Sequence, residues 1–113
     1  MNHELYVEGV ALSKRDDVDW IDCVVDKDYE ICTAYPYPIR DKRSKSIIAE
    51  NIRADDNIQV FMHRNYYIKH RVIALQFIPN PNNYRYVRHL NGINYDNRIE
   101  NLIWTNSSKG KLM

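Results

Sequence analysis

Apolar positions along this chain fall into short dense runs rather than long helical stripes. WIDCVV (20–25) and YEICTAY (29–35) are rich in Val, Ile, Tyr and Trp, with a turn-like Asp26-Lys27-Asp28 between them. That pattern predicts a hairpin. IQVFM (58–62) and YYIKH (66–70) flank a turn at His63-Arg64-Asn65 and predict a second hairpin. Between the two, PYPIRDKRSKS (36–46) carries two prolines and mixed charge, and reads as a loop or sheet-edge segment. SIIAENIRADDN (46–57) reads as a short apolar piece that ends in a turn at Asp55–Asn57.

The period changes over residues 70–81. In HRVIALQFIPNP, the residues Val72, Ile73, Leu75, Gln76 and Phe77 fit one to two turns of helix, which Pro79 and Pro81 end. A Pro-Asn loop then leads to a strand candidate in YRYVRHL (84–90), an Asn-rich loop, and a last strand, LIWT (102–105). Asn106 and Ser107 suit a helix N-cap, yet only Ser108 and KGKLM follow, too little for a stable helix. Residues 1–19, with KRDDVD at 14–19, read as a polar lead-in. The expected fold class is α+β in one domain over 20–113. Its β-rich part is 20–68, followed by a short helix and a compact unit within 69–106, with a truncated final helix.

Composition narrows the setting. Nine tyrosines against two phenylalanines suit half-exposed sheets and binding faces, since a tyrosine buries its ring and keeps its hydroxyl wet. No apolar run approaches the roughly 20 residues of a membrane span, so no membrane partner is expected. MNHELYVEGV lacks the pattern of a secretory signal, and a cytoplasmic or nuclear setting is expected. Cys23 and Cys32 are then expected as free thiols, and no zinc-ligand spacing is present. The formal charge of +1 hides an asymmetry: residues 1–59 hold 8 Lys/Arg and 13 Asp/Glu, and residues 60–113 hold 8 and 2. A basic C-terminal half favours a polyanion such as nucleic acid. Pairing of an acidic half with a basic half of a second copy would give a homodimer.

The chemistry concentrates in VRHLNGINYDNRIENLIW (87–104). His89 stands near a strand end, and Asn91-Gly92 supplies the positive φ a tight reversal needs. Asn94, Asp96 and Asn97 have short side chains that bond their own backbone and brace an irregular loop. A buried Asn101, directly before Leu102, would bond the facing strand and fix its register.

The order of these segments resembles the HNH endonucleases, in their homing-endonuclease-like branch. The resemblance rests on His70-Arg71-Val72-Ile73-Ala74, Phe77-Ile78-Pro79-Asn80-Pro81, His89, and Asn97-Arg98-Ile99-Glu100-Asn101-Leu102-Ile103-Trp104. It implies a ββα-metal unit cutting DNA, in which His89 matches the general base that takes a proton from water. A Mg²⁺ or Mn²⁺ ion would stabilise the leaving oxygen. Asn101 matches the central Asn that ties the loop to the strand and holds the histidine.

The metal shell departs from that pattern. The position before the histidine, usually Asp, is Arg88, whose guanidinium has donors and no acceptor. Asn91 stands where relatives often have Asp, and the second ligand register falls at Lys109–Gly110. Asn91, Asp96 and Asn106 remain as weak metal candidates. The resemblance and these departures together lead us to expect an HNH-like nucleic-acid-binding protein with a degraded metal site and weak or no cleavage. The alternatives are an active single-metal nuclease and a protein-interaction module on the same scaffold. Expected nucleic-acid contacts are Arg64, Lys69, Arg71, Arg85, Arg88 and Arg98, interleaved with Tyr66, Tyr67, Tyr84 and Tyr86. Sheet packing is the competing role for the tyrosines, and a loop carbonyl the competing partner for Arg71.

Overall fold

A computed structural model describes residues 6–7, 10–11 and 19–107. The described residues form an α+β fold of short antiparallel strands in four small sheets, with one α-helix. Strands β1 (Tyr6–Val7) and β2 (Val10–Ala11) pair as a small ribbon within the stretch expected as a polar lead-in.

The first expected hairpin forms as β3 (Trp20–Asp22) and β4 (Tyr29–Cys32), and β5 (Ile39–Asp41) adds to it in the order β3-β4-β5. The proline-containing segment therefore supplies an edge strand. Ile31, Cys32 and Ile39 are fully buried on this sheet. Its cross-strand pair Glu30↔Arg40 carries a 3.0 Å ion pair. Cys23 and Cys32 are free thiols, and burial raises both above the ordinary thiol value. Neither is therefore an activated nucleophile.

The second sheet runs β6 (Glu50–Ile52), β7 (Ile58–Met62) and β8 (Asn65–Ile68). Alternation along β7 buries Val60 and Met62 and leaves Phe61 in solvent. The β7–β8 turn uses His63 and Arg64 at φ 45° and 67°, a conformation more usual for Asn-Gly. The first hairpin braces it: Asp26 Oδ2 lies 2.6 Å from His63 Nδ1, and Tyr29 meets the His63 ring edge-on at 5.2 Å.

Helix α1 (Lys69–Phe77) follows β8 directly. Nine residues are too few for a stable isolated helix, so its stability comes from the face formed by Lys69, Val72, Ile73 and Ala74, all buried. Gln76 ties its end to the first sheet, accepting from Val24 N–H at 2.7 Å and donating to the Asp22 carbonyl at 3.1 Å. The helix ends with Ile78 in extended conformation, directly before Pro79.

Strands β9 (Tyr86–His89) and β10 (Leu102–Thr105) pair antiparallel with Leu102 opposite His89. The last strand occupies the residues the pattern predicts. Val87 and Leu102 pack into the same core as Val60, Met62, Val72, Ile73 and Ile31. Trp104 donates its indole N–H to the Ile78 carbonyl at 3.1 Å. Asn106 forms a bend and Ser107 is irregular, while the rest of the expected closing helix lies outside the described residues. No helix among the described residues is long and apolar enough to cross a membrane.

Candidate functional site

The β9–β10 connection covers residues 90–101, far more than a two-residue hairpin turn. Asn91-Gly92 is accordingly its first bend only, with Gly92 at φ 74° and its N–H on the His89 carbonyl at 3.1 Å. Asn101 holds the loop shut. Its Oδ1 accepts from Asn91 N–H at 3.1 Å, and its Nδ2 donates to Asn91 Oδ1 at 2.9 Å and to the Asp96 carbonyl at 2.8 Å. Asn101 is buried, so truncating it strands several polar partners together. Asn101→Ala is expected to cost about 2 kcal/mol, from the ~1–3 kcal/mol of an unsatisfied buried group. Urea unfolding measures it, and Asn101→Asp recovers only part, because a carboxylate cannot donate.

His89 is buried at the end of β9, with Nε2 2.7 Å from Asn97 Oδ1. An amide oxygen only accepts, so in this contact Nε2 is the donor. Asn97 is itself buried, and its Nδ2 has no hydrogen-bond partner among the described residues. Sequence reasoning assigned Asn97 to loop bracing. Nothing local distinguishes it from Asn94, because only closure of the loop brings position 97 back to His89.

A second imidazole stands beside the first. His70, in the first turn of α1, meets the His89 ring edge-to-face at 4.7 Å, and its buried Nδ1 has no partner. Burial first, then the electrostatic influence of His89 and Arg71, lowers its pKa from 6.5 to about 4. His70 is therefore neutral at physiological pH. The sequence puts it at the start of the helical stretch 70–81, and its ring contact with His89 is tertiary information.

Both imidazoles line a cleft of about 710 Å³, together with Arg71, Arg88, Asn91 and Ser107. Among the described residues, no carboxylate lines it. Arg71 donates to the Arg85 carbonyl at 2.6 Å and lies over the Trp104 ring at 5.4 Å, so it anchors a loop carbonyl and faces the cleft as well. Among the described residues, the Arg88 side chain makes no hydrogen bond or ion pair.

The other candidate residues separate from this cleft. Lys69 is a correction: it is 1% exposed and ion-paired with Glu50, so it offers no charge to a polyanion. Its helical position turns it into the core with Val72 and Ile73. Arg98 is engaged by the Asp96 carboxylate through two 2.8 Å bonds. Arg64 sits in the β7–β8 turn and Arg85 is exposed outside the cleft lining. Of the tyrosines, Tyr86 lines the cleft, Tyr66 pairs with Phe61 on the outer sheet face, Tyr67 packs against the core, and Tyr84 is half-buried.

These side chains do not fit a hard divalent cation. Such ions take oxygen ligands, with carboxylates supplying most of the affinity. Of the weak metal candidates, Asn91 is in the cleft lining but offers no charge, and Asn106 is exposed beyond β10. Asp96 is consumed: Arg98, then Asn91, hold its carboxyl well below the usual carboxylate range. Two guanidiniums on the cleft wall add repulsion. Among the described residues, Asp26, Asp28 and His63 group closely enough to share a metal, but they lie at the hairpin tips, outside the cleft lining.

No protein-family profile matches the chain, and no solved structure matches it. Two proteins of Acanthamoeba polyphaga mimivirus, each named an uncharacterized HNH endonuclease, are similar to it. One is 36% identical over 67 residues, covering 56% of this chain and 20% of the relative. The other is 48% identical over 42 residues, covering 35% of this chain and 11% of the relative. The matched part thus spans at most about a fifth of each relative's length, and what these likenesses support is a relationship to proteins named HNH endonucleases.

Proposed function

We propose that this chain is an HNH-endonuclease-like nucleic-acid-binding protein with weak or no metal-dependent cleavage. The single observation carrying this reading is a cleft that joins a strand-end histidine to two arginines and has no carboxylate among its described lining residues. In this reading β9, the 90–101 loop and β10 are the two-stranded part of a ββα-metal-like unit, and Asn101 is its loop clamp. Arg71 and Arg88 contact the phosphate backbone, and Tyr86 at the same wall offers a ring to an unpaired base. The mimivirus likenesses support the nuclease-like direction.

A second reading, an active DNA endonuclease, is favoured by one feature. With Asn97 on Nε2, the Nδ1 lone pair of His89 is available to take a proton from water, and the loop holds the ring in place. Asn97 is then the orienting partner and His89 the base. An active enzyme of this family is expected to need Mg²⁺ or Mn²⁺.

Fluorescence anisotropy with single- and double-stranded oligonucleotides tests the main reading. Binding is expected in EDTA, with affinity falling steeply as salt rises, because phosphate contacts release counterions. Plasmid nicking is run beside it with Mg²⁺ and with Mn²⁺. Nicking that vanishes in His89→Ala establishes the second reading. Absence of oligonucleotide binding at low salt removes the first.

A further inference from the structure

The charges lining the cleft are those of an anion site. Arg71 and Arg88 contribute two fixed positive charges, His70 and His89 contribute ring nitrogens, and Ser107 a hydroxyl, with no Asp or Glu among the lining residues. The acidic side chain nearest in sequence, Asp96, is already neutralised by Arg98. Arg88 is half-buried on β9 and its side chain has no partner among the described residues, so its guanidinium is open to a ligand. His70, in the lining, has a buried ring nitrogen with no partner, and Asn97, outside the lining, has a second such nitrogen beside the same histidine.

We propose that this cleft is a metal-independent phosphate pocket, in which the Arg88 guanidinium takes the electrostatic place that a divalent cation would hold. Arg88 presents a planar fork of N–H donors that matches two phosphate oxygens. Arg71, held by the Arg85 carbonyl and the Trp104 ring, supplies a second, preorganised charge. Neutral His70 bounds the pocket without adding a charge. The pocket belongs to the cleft of the nucleic-acid reading, rests on that reading for its biological context, and names the group that the cleft takes. That group is a phosphate, either internal to a strand or terminal.

The test follows the imidazole resonances of His70 and His89 by NMR in the full-length protein, in EDTA, as inorganic phosphate is added. Saturable shifts of both rings are expected, weakening with salt. Arg88→Ala is expected to lower the affinity roughly tenfold or more, the usual worth of a charge-assisted bond. Its thermal transition should stay unchanged, since the side chain supports nothing else. Arg88→Asp should abolish phosphate binding and allow Mg²⁺ to shift the same resonances. Absence of shifts with phosphate, equal affinity in Arg88→Ala, or saturable Mg²⁺ binding by the unaltered protein overturns the proposal.

Oligonucleotides with and without a 5′-phosphate separate the two sources. Equal competition with inorganic phosphate assigns the pocket to backbone phosphates, and competition only by the phosphorylated strand assigns it to a terminal group. The wider reading is tested separately by the same strands. Strand binding indifferent to Arg88→Ala and to phosphate would sink the pocket and leave nucleic-acid binding intact. Phosphate binding without strand binding at any salt would do the reverse.

Discussion

Glu50→Ala is expected to destabilise the fold by about 3–5 kcal/mol, the cost of leaving a buried charge unpaired. The reason lies in the unequal burial of the pair. The Lys69 side chain is 2% exposed and that of Glu50 is 30% exposed, so removing the carboxylate strands an ammonium among Val72, Ile73 and Cys23. Desolvation already lowers the Lys69 pKa, and Glu50 is what opposes that shift. Removing the lysine instead leaves a carboxylate that still reaches water. Lys69→Met should therefore cost less than Glu50→Ala, about 1–2 kcal/mol. The double variant Glu50→Gln/Lys69→Met should lie near the parent, as buried ion pairs replaced by apolar groups often do. Urea unfolding of the three variants measures the order, and equal losses for the two single changes would refute the account.

Acidification from pH 7 to pH 4 is expected to remove about 2–3 kcal/mol through His70 alone. In the unfolded chain this imidazole takes up a proton near 6.5, and in the folded protein only near 4. Between those values the unfolded state binds the proton and the folded state does not, so stability falls as pH falls. Above about 6.5 the penalty is absent, and below about 4 it is complete. His70→Gln should flatten this part of the profile, leaving the losses that carboxylates such as Asp96 cause at lower pH. The same experiment followed by histidine NMR should show the His70 ring taking up its proton only near 4. A profile unchanged by His70→Gln would mean that this ring is accessible enough to protonate freely.

Strand placement was legible because it depends on local pattern. Alternation in IQVFM makes a half-buried strand, and LIWT forms a strand over residues 102–105. The helix was legible from its change of period and its proline exit. The edge strand Ile39–Asp41 was only half readable, because prolines mark a boundary without saying whether the chain rejoins a sheet. A basic C-terminal half and a histidine ahead of an Asn-rich loop could be read directly. The role of each member could not.

Sequence by itself determined the main hairpins, the helix and the last strand, the places of His89 and Asn101 in the chain, and the absence of a carboxylate before the histidine. Tertiary structure alone decided which charges are available. Lys69 looked like a surface cation and is buried, because a helix turns one side into the core and sequence does not say which charged residue has a partner there. Asn97 looked like a loop brace and holds His89, because a twelve-residue connection folds back on itself in a way no local rule encodes. His70 and Arg88 lie eighteen residues apart and share one wall, because α1 packs against β9. Local propensity acts over a few residues, whereas burial and pairing are set by contacts between distant ones. The elements with a strong local pattern were therefore readable from the sequence, and the electrostatics of the site were not.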